Sequence, residues 1–137
     1  MHGSHLIFVY GTLKRGQCRA AVLAGQTFLG PAVTQPRYRM FNVGDYPGLV
    51  EDAAGVAVQG EVWRIDSMCL QRLDDIEGTD IGLYQRRPIL LQAGSAANKN
   101  FYPDGQSDQL DPSDQLIEAW FFLRDTSHLP DCGSEWK

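Results

Sequence analysis

Cysteine is scarce. Cys18, Cys69 and Cys132 are the 3 in the chain, an odd number with no CxxC spacing. That argues against a disulfide framework and a cysteine-based zinc site, and it suits a reducing, cytoplasmic compartment. Basic residues are outnumbered: 12 Lys and Arg against 17 Asp and Glu give a formal charge of −5. This is the wrong sign for a general nucleic-acid binder or for a protein held on acidic lipid. No apolar run approaches the ~20 residues of a membrane span, and the start lacks the basic and apolar regions of a signal peptide. Residues 1–5, which include His2 and His5, read as a tag remnant or a disordered start. That leaves His128 as the histidine any Ser-His-Asp or Cys-His site would have to use. GxGxxG, Walker, HExxH and GxSxG patterns are all missing. No metal and no cofactor is expected.

What is present fits one domain. The chain has 137 residues, 43% of them hydrophobic, enough for one core and too few for two ordinary domains. The expected domain covers residues 6–125, followed by an irregular tail over 126–137. Leu6-Ile7-Phe8-Val9-Tyr10 is a continuous apolar, β-branched and aromatic run, which predicts a buried strand. A short helix over 18–24 precedes Gly25. Strands are expected over 27–33 and 37–43, and Pro31 and Pro36 suggest edge strands or a strand change rather than a central strand. A loop over 44–48 follows, then an alternating strand over 56–65. Asp66 can N-cap a helix over 67–77 with Leu70, Leu73 and Ile76 as its apolar stripe, and Gly78 stops it. Further strands fall over 84–93 and 116–123. Residues 94–115 are polar and aperiodic, which marks a functional lid or an excursion from the domain. About six strands and two short helices in this order predict an α+β domain on a curved, mixed and mostly antiparallel sheet, closed into a small β-barrel with flanking short helices.

Two segments can carry chemistry. In the first, a buried strand runs into Tyr10-Gly11-Thr12-Leu13-Lys14-Arg15-Gly16, where backbone N–H groups leave the sheet without ladder partners. Such groups form an anion-binding nest, or an ordinary tight turn. In the second, Leu70, Leu73, Asp74 and Glu77 share one side of a helix. Glu77 then sits in the last turn at the edge of the core stripe. Partial desolvation and the negative helix end both favour its protonated form, which suits an acid/base. A solvated acidic helix end is the alternative. Cys18 and Cys69 read as small buried side chains, Trp63 and Trp120 as core, and Asp74 and Asp75 as solvated charges or helix supports. Arg86 and Arg87 either meet a substrate carboxylate or face solvent.

Val9-Tyr10-Gly11-Thr12-Leu13-Lys14-Arg15-Gly16 resembles the opening motif of the γ-glutamylcyclotransferase-like family. Tyr46-Pro47-Gly48-Leu49-Val50, Gly60-Glu61-Val62-Trp63-Arg64-Ile65-Asp66, Leu73-Asp74-Asp75-Ile76-Glu77 and Leu83-Tyr84-Gln85-Arg86-Arg87 follow in the family's order. The match runs over residues 6–93, with Ala119-Trp120-Phe121-Phe122 beyond. The resemblance implies a small mixed barrel with flanking helices. It implies that Tyr10, Gly11, Thr12 and Leu13 bind the glutamyl group through their backbone, and that Glu77 is the catalytic acid/base. Tyr46 and Pro47 would wall the pocket, and Tyr84 would touch substrate or orient Glu77; a plain turn and a core aromatic are the alternatives. The Leu-Asp-Asp-Ile-Glu form looks most like the γ-glutamylamine branch, and the butirosin-pathway cyclotransferase and plant avirulence-induced proteins belong to the same resemblance.

The expected activity is therefore release of 5-oxoproline from a γ-glutamyl amide, without cofactor or metal. The expected partner is that small molecule, not nucleic acid or membrane, and the expected state is a monomer or weak dimer. Two other readings stand beside it. One is a non-catalytic module that binds a small carboxylate on the same fold. The other is a hydrolase or acyl-transfer enzyme that uses the pocket with water or an amine.

Overall fold

The apolar run near the start becomes β1 (Ser4–Val9), a strand that buries both faces. Leu6, Phe8 and Tyr10 join one apolar cluster with Met40, Leu49, Val62 and Phe121. Ile7 and Val9 join a second with Trp63, Leu73, Tyr84 and Trp120. Two-sided burial is why the segment shows no polar alternation. The computed structural model describes residues 4–11, 14, 20–44, 46–92 and 117–136. The expectations for Thr12, Leu13, Cys18 and residues 94–115 lie outside the described residues.

The other strands are β2 (Thr27–Val33), β3 (Tyr38–Asn42), β4 (Pro47–Glu51), β5 (Gln59–Asp66), β6 (Tyr84–Pro88), β7 (Ile117–Phe122) and β8 (Asp131–Gly133). They form one 8-stranded sheet in the order β2-β5-β1-β7-β4-β3-β8, with β6 also paired to β7. The β1/β7 and β4/β7 pairs are parallel. The remaining pairs are antiparallel, so the sheet is mixed and mostly antiparallel, as expected. β2 carries Pro31 and ends the strand order, the place where a missing N–H is tolerated.

Helix α1 (Ser67–Glu77) follows β5 directly, and its limits are set by local chemistry. The Asp66 side chain accepts the Cys69 N–H at 2.7 Å, satisfying one orphan donor of the first turn. Gly78 adopts the left-handed conformation (φ 72°, ψ 38°) and returns its N–H to the carbonyls of Asp74 and Asp75. Cys69, Leu70 and Leu73 bury the inner face against the second cluster.

Four expectations are corrected. The sheet is not closed into a barrel: β2 and the segment after β6 meet in one isolated bridge, Thr34 to Leu91. Pro31 and Pro36 flank that short stretch and cannot donate to a longer ladder. The described part of the 18–24 helix is a 3-10 turn at Ala20–Leu23 with Leu23 alone buried, too little apolar surface to specify an α-helix. The tail is not irregular throughout, because β8 pairs with β3. Ser4 and His5 belong to β1, opposite Asp66 and Ile65.

Candidate active site

β7 changes partner along one edge. Leu6 and Ile7 of β1 pair with Ile117 and Glu118 at its start, and Leu49 of β4 pairs with Phe121 near its end. β6 occupies the opposite edge over Glu118 to Phe122. Between the two parallel partners the ladder is interrupted, and the hydroxyl of Tyr10 fills the gap. It donates to the Trp120 carbonyl at 2.6 Å and accepts the Leu49 N–H at 3.3 Å. Burial pushes the Tyr10 phenol well up, and the nearby Tyr84 and Glu77 push it further. It therefore stays protonated and keeps donating.

The chain leaves β1 at this point. Gly11 is buried and lies against Pro47: a Cβ added at Gly11 would come within 2.6 Å of Pro47 Cγ and 2.8 Å of Cδ. The Gly11 carbonyl then accepts the Lys14 N–H at 3.1 Å, closing a turn. Lys14 is itself buried.

The opposite wall comes from β4 and β6. The Tyr84 hydroxyl donates to the Pro47 carbonyl at 2.8 Å. The Tyr84 ring lies 6.3 Å from that of Tyr46 and edge-on to Phe122 at 5.3 Å. Tyr84 thus holds the Pro47 corner in place from within the core, as the core-aromatic alternative has it. Glu77, half-buried, is the last residue of α1. Its charge reaches the buried Tyr10 phenol. The fold therefore gathers Tyr10, Gly11, Tyr46, Pro47, Tyr84 and Glu77 at the end of β1, from four separate elements.

Asp74, one turn before Glu77, is not a solvated charge. Its Oδ1 accepts Trp120 Nε1 at 2.8 Å, and its Oδ2 accepts Arg86 Nη1. Arg86 Nε also donates to Glu118 Oε1 at 3.1 Å. This braces the end of α1 against β6 and β7 and engages Arg86 with protein carboxylates. A cavity of about 280 Å3 lies beside the brace, with Thr79, Tyr84, Gln85 and Leu123 in its lining. Cys69 is buried and its thiol is pushed up by that burial, the wrong direction for a nucleophile. His128 is exposed. Among the described residues no cluster of His, Cys, Asp and Glu could hold a metal, and no helix is long and apolar enough to cross a membrane. Ties not foreseen from sequence include the Asp74 brace and a bond from Lys14 Nζ to the Trp136 carbonyl at 2.7 Å.

Comparison with known proteins supplies a family. The family model for "Gamma-glutamyl cyclotransferase, AIG2-like" matches residues 7–134. A Vibrio cholerae protein provisionally named gamma-glutamylcyclotransferase is 39% identical over 92 residues, covering 67% of this chain and 77% of the relative. The gamma-glutamylaminecyclotransferase of Rattus norvegicus is 39% identical over 94 residues, covering 63% of this chain and 62% of the rat protein. The crystal structure of a mouse AIG2-like protein superposes with a TM-score of 0.69 at 26% identity, covering 97% of this chain and 88% of the mouse chain.

Proposed function

Because the chain belongs to the AIG2-like gamma-glutamyl cyclotransferase family, we propose that it cyclises a γ-glutamyl amide, releasing 5-oxoproline and a free amine or amino acid. The observation that carries this reading is the placement of Glu77. A carboxyl group at the end of α1 lies near enough to act electrostatically on the buried Tyr10 phenol, next to the Gly11 turn.

In the proposed reaction the substrate's α-amine attacks its own γ-carbonyl. A C–N bond forms, the amide C–N bond breaks, and one proton travels from the α-nitrogen to the leaving nitrogen. Neither water nor a covalent enzyme intermediate enters. Ring closure is already intramolecular, so holding the bent conformer supplies much of the acceleration. Glu77 takes the proton from the attacking nitrogen and delivers it to the departing one, since an amide nitrogen leaves poorly unless protonated. The backbone at Gly11, continued by Thr12 and Leu13, receives the glutamyl group. Pro47, Tyr46 and Tyr84 wall it. The Leu-Asp-Asp-Ile-Glu segment and the rat relative support a γ-glutamylamine as substrate.

The test is a panel of γ-glutamyl amides and dipeptides followed by chromatography of the product. Release of 5-oxoproline, with the amine in equal amount, is the expected result. Free glutamate would assign a hydrolase. Binding of 5-oxoproline with no turnover of any panel member would assign a non-catalytic carboxylate-binding module.

A further inference from the structure

Lys14 is 8% exposed, yet its ammonium donates to a main-chain carbonyl 122 residues away, that of Trp136, at 2.7 Å. A buried ammonium needs polar partners, so this bond fixes where the lysine stem can lie. The same residue closes the turn from Gly11 through its own N–H. The segment that supplies the carbonyl is fastened from both sides. Asp131 pairs with Arg39 at 2.6 Å, and Ser134 accepts the Gln59 N–H at 2.7 Å. Trp136 packs on the apolar cluster that contains Tyr10. The tail thus crosses from the β3 edge to the start of the site, touching Tyr10's cluster with its side chain and the Gly11 turn with its main chain.

We propose that residues 134–136 form a strap that positions Gly11 and Lys14 at the edge of the ligand site, with Lys14 and the Trp136 carbonyl as its clasp. Lys14 is on this view a positioning residue and does not touch substrate. The proposal rests on the reading of the Gly11 turn as part of the ligand site. Coupling of this kind is reciprocal: what tightens the strap tightens ligand, and the reverse.

The test compares Lys14→Met, Lys14→Arg, a chain ending at Gly133, and the Lys14→Met change within that shortened chain. Each is titrated calorimetrically with 5-oxoproline. Lys14→Met and the shortened chain are each expected to bind about tenfold more weakly, the weight of one hydrogen bond to a charged group. The combination should bind no more weakly than either alone, because both remove the same tie. Lys14→Arg, still a donor, should recover most of the affinity. With a turned-over γ-glutamyl amide, KM should rise more than kcat falls.

If Lys14→Met loses binding while the shortened chain keeps it, the lysine meets ligand directly and the strap is wrong. Additive losses, or no loss in either variant, also overturn it. Should the shortened chain fail to fold, Trp136→Ala removes the packing anchor and takes its place. If the unaltered protein neither releases nor binds 5-oxoproline, the functional reading has failed, and the strap is judged by exchange of the Lys14 amide. Lys14→Met should speed that exchange about tenfold relative to α1 amides, and an unchanged rate would reject the strap.

Discussion

Replacing Gly11 by alanine adds one methyl group to the tightest contact in the candidate site. Its Cβ would stand 2.6 Å from Pro47 Cγ, against an ordinary carbon–carbon separation of about 3.5–4.0 Å. Something must move by on the order of 1 Å. Pro47 cannot rotate away, because its ring is closed and the residue is buried. Its carbonyl is also held by the Tyr84 hydroxyl at 2.8 Å. Displacement of Pro47 therefore carries Tyr84 and the neighbouring Tyr46 ring with it. Overpacking of this kind costs about 1–3 kcal/mol, which for a domain of this size lowers the melting temperature by about 3–10 °C. The clash falls on protein, at the wall of the candidate site, so stability and binding should suffer together.

The assay is a thermal melt paired with 5-oxoproline titration for Gly11→Ala, Pro47→Ala and the double variant. Pro47→Ala removes the ring carbons that clash, so the double variant should be more stable than the sum of the single losses allows. Coupling above about 0.5 kcal/mol is the expected sign of a direct contact. Additive losses would mean that Gly11 and Pro47 do not press on each other. A Gly11→Ala protein with unchanged melting and unchanged affinity would refute the packing argument outright.

Three further outcomes follow from the same geometry. Glu77→Gln keeps size and hydrogen bonding but cannot relay a proton, so turnover should fall by about 10²–10⁴ with 5-oxoproline binding retained; turnover within a few-fold of normal removes Glu77 from the mechanism. Tyr84→Phe strips the buried Pro47 carbonyl of its hydroxyl partner and should destabilise by about 1–3 kcal/mol, read by urea unfolding, with KM raised because the Pro47 wall loosens. Asp66 is held below the usual carboxylate range by the Cys69 N–H and then Gln26, and Asp131 by Arg39 and then the Gly133 N–H. A depressed folded value means stability present above the unfolded pKa of about 3.9 and lost as pH falls through the folded one, so melts should decline below about pH 4. Asp66→Asn, which can still cap, should flatten part of that decline; an unchanged profile would show that the cap charge is not linked to folding.

What was legible in the sequence was local. Helix α1 appears with its expected ends because the Asp66 cap acts three residues ahead and Gly78 closes on carbonyls three and four residues back. β1 and β7 were visible as runs too apolar for a one-sided strand, and the two clusters that bury them explain why. Position 77 could be placed at the end of a helix stripe by periodicity alone. That place already suited an acid/base and the family motifs singled it out, but the Tyr10 phenol that feels its charge comes from the end of β1, which no local pattern shows. β8 was invisible, because Asp131, Cys132 and Gly133 have no strand composition; backbone pairing to β3 and the Arg39 ion pair hold them. The missing barrel closure was equally hidden, being decided by how much of the β2 edge the prolines leave usable.

The Gly11 turn shows why the site itself was only partly readable. Seen as sequence, its distinctive residue is the glycine, which points to unpartnered N–H groups. In the fold, the residue before it sets the geometry. Tyr10 sends its hydroxyl 110 residues along the chain to the Trp120 carbonyl and takes up the Leu49 N–H where β1 gives way to β4. A phenylalanine would fill the same volume and leave both groups of that buried junction unsatisfied. The same Trp120 is gripped through its indole by Asp74, one turn before Glu77. Tyr10 at the mouth of the turn and the helix end that carries Glu77 are thus referred to a single residue of β7. Each link spans tens of residues and joins a side chain to a group common to every residue or to a tryptophan that reads as ordinary core. No local pattern encodes such a link, which is why the brace emerged from the folded chain and not from its motifs.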